Sequence, residues 1–186
     1  RNIHGKQFIE CFYGYHTALS PKEELWELSH FEKQTPDDLY RDLFIDGPDD
    51  MAIIQTTVLK DFFTNGFGCI ERSTEMAQRA KDRFIINGSF DPRDGEAALE
   101  YIHYMKETYD IQGVKMYTAE WKGDSKGWKL NDPAAYRCFE LCDKLGIRNV
   151  HVHKGPTIIP LNKDAFDVHD VDYVATDFQG LNFIVE

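Results

Sequence analysis

From about residue 48 onward, short apolar runs alternate with amphipathic stretches, and Gly, Pro, Asp or Asn stands between each and the next. A run too short for a helix, followed by a stretch of 3.6-residue apolar period, is the pattern of a βα unit, and its repetition makes neighbouring strands parallel. Five strands are expected, at 51–57 (MAIIQTT), 84–89 (FIINGS), 113–118 (GVKMYT), 149–153 (NVHVH) and 181–185 (LNFIV). Asp94-Gly95-Glu96 leads into the helical run AALEYIHYMKETY, with Leu99 and Ile102 on one stripe. Asn131-Asp132-Pro133 leads into AAYRCFELCDKLG, which has an N-cap candidate, a proline in its first turn and a glycine at its end. Less regular periodicity predicts helices over 72–82 and 168–178.

Upstream of residue 48 the character changes. Ser20-Pro21-Lys22-Glu23 reads as a capping box opening a helix to about Lys33, and Thr35-Pro36-Asp37-Asp38 opens a second that ends near Asp46-Gly47. The first 19 residues are aromatic-rich without a clear period and read as a loop packed on the body, or alternatively as a pocket wall. At 186 residues the chain fits one domain with a real hydrophobic core, on which 1–47 packs as a loop-and-helix segment. The start without Met and the end inside an apolar run lead to the expectation of a piece of a longer chain.

The formal charge is -11, and no stripe concentrates the 21 basic residues, so nucleic acid and acidic membrane surfaces are not expected as partners. No apolar run approaches the roughly 20 residues that span a bilayer, and the N-terminal region carries no signal-peptide core. Cys11, Cys69, Cys138 and Cys142 form no C-x-x-C pair and read as reduced thiols of a cytoplasmic protein. A small-molecule substrate is the expected partner, and a homodimer the assembly kept open.

The segments that follow the strands are long and chemically rich, whereas those that return from helix to strand are short (KDR, YDIQ, LGIR, FQG). In parallel α/β folds the site lies at the carboxyl ends of the strands, where these long segments are. In NVHVHKG the side chains alternate, so His151 and His153 share a face and the valines take the other. His153, nearer the carboxyl end, is a candidate ligand or catalytic residue; His151, deeper in the strand, reads as a hydrogen-bonded core residue. Lys115 on the preceding strand is either ion-paired in the sheet core or a catalytic cation that clamps an anionic substrate. Tyr117, Glu120 and Trp121 are the candidate substrate-binding residues, although a lid packed on its own barrel would explain the tryptophan equally well. Asp91-Pro92-Arg93-Asp94 reads as turn and cap, with a substrate contact from Arg93 as the lesser reading. No phosphate-binding glycine loop, nucleophile elbow or H-E-x-x-H helix is present.

The run GVKMYTA, then LNDPAAYRCFELCDKLGI, then HVHKG, then DVDYVATDFQGLNFIVE, resembles the middle of an amidohydrolase-superfamily protein. The resemblance is to the amidohydrolase family 2 group, which includes aminocarboxymuconate-semialdehyde decarboxylase, and it covers about 39–186. It implies a (β/α)8 barrel of the TIM type, of which this sequence covers about strands 2 to 6. It further implies a divalent metal, zinc first with manganese or another ion as alternatives, held by an H-x-H on strand 1, a histidine on strand 5 and an aspartate on strand 8. His153 matches the strand 5 histidine, Lys115 sits on strand 4, and His151 matches a position usually apolar. The strand 1 H-x-H does not occur here, and a further histidine on strand 6, which the resemblance implies as assisting catalysis, would follow Glu186. The implied function is a metal-dependent hydrolase acting through a metal-activated water, and the aromatic and lysine content of residues 120–128 points to a small anionic or cyclic substrate. A non-oxidative decarboxylase is one alternative, and a non-catalytic α/β module or inactive fragment is another.

Overall fold

The computed structural model describes residues 3–64, 66–155 and 161–186, so part of the long segment expected after the fourth strand lies outside the described residues. Strands β1 (Ala52–Gln55), β2 (Phe84–Gly88), β3 (Gly113–Met116), β4 (Asn149–Val152) and β5 (Asn182–Val185) form one sheet in the order β1-β2-β3-β4-β5. Every adjacent pair is parallel. Helices α4 (Ile70–Ala77), α5 (Glu96–Tyr109), α6 (Pro133–Lys144) and α7 (His169–Asp177) fill the four crossovers.

A doubly wound sheet reverses its strand order somewhere; this sheet never does. With right-handed crossovers, consecutive order places all the helices on one face, as in the wall of a barrel, and leaves the other face to the interior. The core agrees with that arrangement. Ile70 of α4, Ile102 and Met105 of α5, Phe139 and Cys142 of α6, and Val174 of α7 share one cluster with Val114, Met116, Val150 and Val152. The valines of the fourth strand therefore face the helices, as alternation predicted, and the two histidines take the other face.

Local chemistry sets the helix ends. Asp91 Oδ1 accepts from the Arg93 backbone N–H at 2.9 Å and opens a 3-10 turn (Pro92–Asp94) just before α5. Pro133 supplies the first turn of α6, and Gly146 follows its end at φ +71°. The expected cap at Thr35 is present in full. Its hydroxyl accepts from Asp38 N–H, and the Asp38 carboxylate accepts from Thr35 N–H, opening α3 (Pro36–Arg41), which continues as a π turn to Asp46.

Two expectations upstream are corrected. The leading segment is not a loop but α1 (Ile3–Leu19), whose Phe8 is buried with Phe62 and Phe63 of the segment after β1. Phe8, Phe12, Tyr15 and Leu19 follow a 4-3-4 spacing that is helical, and the mixture of aromatics and polar residues around them hid it. The continuous helix from Ser20 is also absent. Lys22–Glu24 makes one 3-10 turn, the chain extends at Leu25 and Glu27, and α2 covers only Leu28–Phe31. His16 explains the break. Its Nε2 accepts from the Trp26 backbone N–H at 2.9 Å, so Nδ1 carries the proton and donates to Ser20 Oγ at 3.1 Å. Tyr13 O–H donates to the Trp26 carbonyl at 2.9 Å. The hydroxyl meant for a cap is thereby engaged elsewhere, and Trp26 is drawn back onto α1.

Phe139 is fully buried at the centre of the helix-facing core. Phe139→Ala is expected to cost about 3–5 kcal/mol in urea unfolding, against about 0.5 kcal/mol or less for Tyr173→Ala on the exposed face of α7. Equal costs would show that the core is not where it is placed here.

Candidate functional site

On the face of the sheet away from the helices, one polar side chain from each strand or strand end joins a continuous row. Asn87 Nδ2 donates to Gln55 Oε1 at 3.0 Å, and Gln55 Nε2 donates to Glu186 Oε1 at 3.1 Å. His151 Nδ1–H donates to the same Glu186 oxygen at 2.6 Å, while Lys115 Nζ pairs with Glu186 Oε2. Register explains the meeting, because Lys115 lies opposite His151 and His151 opposite Ile184, so period-two alternation carries Glu186 onto the same face. Gly113 is needed at this face: a Cβ there would stand 2.7 Å from Asn87 Oδ1 and 2.8 Å from the Asn149 carbonyl.

Lys115 and His151 are each 6 % exposed. Burial pushes the Glu186 carboxyl up, but the hydrogen bonds from Lys115 and His151 outweigh it and hold the group below the usual carboxylate range. Glu186 is therefore the centre of the row, ion-paired with Lys115 and hydrogen-bonded to His151 and Gln55.

His153 lies one residue beyond β4, where its N–H donates to the Met116 carbonyl at 3.0 Å. Its ring stacks on Tyr117 with centroids 4.6 Å apart and meets Phe166 edge-on at 5.1 Å. Burial pushes the Tyr117 hydroxyl up to about 12, so it stays protonated at neutral pH and is a donor. The next residue, Lys154, has a fully buried side chain that donates to Asp170 at 2.8 Å and to the Ala165 carbonyl at 3.1 Å. Asp170 also accepts from Leu130 N–H at 2.9 Å. This buried pair ties the backbone beside His153 to the start of α7.

Glu120 and Trp121 stand apart from that row. They line a cavity of about 580 Å³ at the carboxyl ends of β1, β2 and β3, together with Thr56, Ser89 and Tyr101. Glu120 is 6 % exposed and accepts from the Lys60 backbone N–H at 3.2 Å. Burial pushes its carboxyl up to about 7, and the nearby Asp91 charge adds to this. Arg93 pairs with Asp91 at 2.7 Å and donates to the Glu120 carbonyl at 2.9 Å and to Ser125 Oγ at 3.0 Å. The lysines expected to favour an anion are engaged as well. Lys122 pairs with Asp94, and Lys126 Nζ lies 3.3 Å from the centroid of the Trp121 ring.

The candidates thus fall into two places: Lys115, His151, His153 and Tyr117 on the inner face and its carboxyl rim, Glu120 and Trp121 at the cavity. Glu186, Gln55, Asn87 and Ser89 were not among the sequence candidates. The signal for Glu186 was present, since counting alternate residues one step past the fifth strand reaches it. Among the described residues, no three His, Cys, Asp or Glu side chains are grouped so as to hold a metal ion. A divalent ion needs three or four such donors, so the residues in hand do not by themselves fit one.

The four cysteines are free, and among the described residues no helix is long and apolar enough to cross a membrane. A family model described as Amidohydrolase matches residues 13–186. Among solved structures the chain is similar to 2,6-dihydroxybenzoate decarboxylase from Rhizobium, with 14% identity and a TM-score of 0.53 over 73% of this chain and 51% of that one. It is similar to 4-oxalomesaconate hydratase from Rhodopseudomonas palustris, with 15% identity and a TM-score of 0.57 over 98% of this chain and 57% of that one. These identities establish likeness of fold, and the chain spans about half the length of the solved structures it matches. No curated protein matches.

A carboxyl group raised to about 7 stabilises the fold fully below the unfolded value near 4.3, and loses that contribution as pH rises through about 7. Glu120→Gln removes the cost of burying the charge. Urea unfolding is therefore expected to show little difference from the parent at about pH 5, and a gain on the order of 2 kcal/mol at about pH 8. A difference independent of pH would contradict the assigned burial of an ionisable Glu120.

Proposed function

The chain belongs to the amidohydrolase family, and from that premise we propose that it forms part of a metal-dependent hydrolase barrel acting on a small organic substrate at the carboxyl rim of the inner face. The observation that carries the reading is the inner-face row of Lys115, His151 and Glu186, with His153 held just beyond it against Tyr117. In this reading His153 is one ligand of the ion, and the remaining ligands come from segments beyond the residues described. When bound, a divalent metal of this kind supplies an activated water or a polarised substrate oxygen; zinc is the first candidate, with manganese or another divalent ion as alternatives.

The protein's own residues have separable roles. Tyr117 stacks flat on the His153 ring and limits its rotation, and its protonated hydroxyl is a hydrogen-bond donor for a substrate oxygen. Glu186 fixes the Lys115 ammonium and the His151 imidazole side by side, so that the floor of the site presents held polar groups rather than mobile ones. Lys115, in its catalytic reading, contributes positive charge where a substrate carboxylate or a developing oxyanion would lie. The buried Lys154–Asp170 pair holds the backbone beside His153.

The decarboxylase and hydratase that the chain resembles in fold support a second reading, non-oxidative decarboxylation of a small unsaturated or aromatic acid. Lys115 serves it equally, as the cation that receives the substrate carboxylate. A cytoplasmic location, a homodimer and the absence of nucleic-acid or membrane partners belong to the same proposal.

The test is a product assay on the full-length protein with ester, amide, lactone and aromatic-acid substrates, together with metal content by mass spectrometry. Water-dependent product without carbon dioxide release supports the hydrolase; carbon dioxide release supports the decarboxylase. His153→Ala is expected to remove bound metal and lower turnover by more than about 100-fold, beyond what loss of an outer-shell partner costs. Lys115→Met is expected to retain the metal while losing about 10- to 100-fold in turnover. Unchanged metal content and turnover in His153→Ala would reject the assignment.

A further inference from the structure

The cavity beside Glu120 shares no lining residue with the inner-face row and is of the size that takes a small organic ligand. Two side chains more than nine-tenths buried open onto it. Ser89, 6 % exposed, makes no side-chain hydrogen bond among the described residues; Glu120, equally buried, is hydrogen-bonded through one carboxylate oxygen alone among them. Both groups face the cavity, so a ligand there can take the place of solvent as their partner.

The charge of the walls decides what kind of ligand. Five carboxyl side chains line the cavity against two lysines. Arg93 neutralises Asp91, and Lys122 neutralises Asp94. Glu71, at the start of α4, and Glu120 carry no ion pair among the described residues. Phe90, Tyr101 and Trp121 supply ring surface, and the Trp121 ring already accepts the Lys126 ammonium.

We propose that this cavity binds a small organic cation, an amine whose apolar body packs against Phe90, Ala98 and Tyr101 and whose ammonium group is received by Glu120, with Ser89 as a second acceptor. A cation there replaces the water that the buried carboxylate lacks, so binding favours the ionised form of Glu120 and strengthens as pH rises through its titration. The charged and titratable groups around Glu120 are Lys60, Asp61 and Cys69 after β1, Glu71 on α4, Asp91, Arg93 and Asp94 after β2, Tyr101 on α5, Lys122 on its own segment, and His4 of α1 behind Trp121. His4 is the one histidine among these groups, and a His4→Gln variant is the control for it.

Calorimetric titration with benzylamine, against benzoate and benzyl alcohol as anionic and neutral probes of matched shape, tests the assignment. Saturable benzylamine binding is expected, about tenfold tighter at pH 8 than at pH 6 in both the parent and His4→Gln, with no saturable benzoate binding. Glu120→Gln is expected to weaken benzylamine at least about tenfold at pH 8 and to flatten the pH dependence. Glu71→Gln, an exposed change that leaves folding intact, is expected to weaken it about two- to threefold. Benzoate binding as tight as benzylamine, a flat pH profile in the parent, no benzylamine binding at millimolar concentration, or affinity unchanged by both substitutions would overturn the proposal. Turnover and amine binding are separate readouts, so failure of one leaves the other standing.

Discussion

Lys115 and His151 sit at mid-strand in a buried sheet, where an unpaired ammonium or unsatisfied imidazole would cost several kcal/mol. The Glu186 carboxylate bridges them, and Gln55 and Asn87 extend the hydrogen bonds to β1 and β2. The rest of the inner face follows from that bridge. It allows a polar row to cross five strands without a stranded donor, and it fixes the relative heights of β3, β4 and β5 at the end where ligands bind in such sheets. Removing Glu186 would leave the buried Lys115 ammonium uncompensated.

The other face has a different logic. Consecutive parallel order sends every crossover helix to one side, and the outward-facing residues of β3 and β4 meet all four helices in one apolar cluster. A second, smaller cluster forms at the carboxyl ends, where Phe8 of α1 packs with Leu59, Phe62, Phe63 and Phe166. The first cluster holds the wall together. The second ties the long segments after the strands to one another and to α1, and these segments carry Glu120, Trp121 and the cavity they line.

Five strands and the direction of their pairing were legible from short apolar runs, helix caps and turn residues, because each is a local signal. The helical leading segment was less legible, since its 4-3-4 aromatic spacing is diluted by polar neighbours and two glycines. The break after Ser20 was not legible at all: it depends on His16 and Tyr13 reaching Trp26, contacts that no local window contains. Among the site residues, alternation put His151 and His153 on one face and could have supplied Glu186. It could not separate Glu120 from Tyr117, three residues away in sequence but in a different place in the fold.

The sequence by itself determined the fold class, because hydrophobic period and segment length are properties of the chain read in order. It also determined the shared face of His151 and His153; that Lys115 joins them follows from the register of β3 on β4. Tertiary structure decided what those groups touch. Whether Lys115 is free or paired depends on Glu186, 71 positions away. Whether Glu120 is an ordinary carboxylate or one titrating near neutrality depends on burial behind residues from three strand ends. Burial and charge pairing are set by which distant segments come within a few ångströms of one another, and the linear order of residues does not encode that distance.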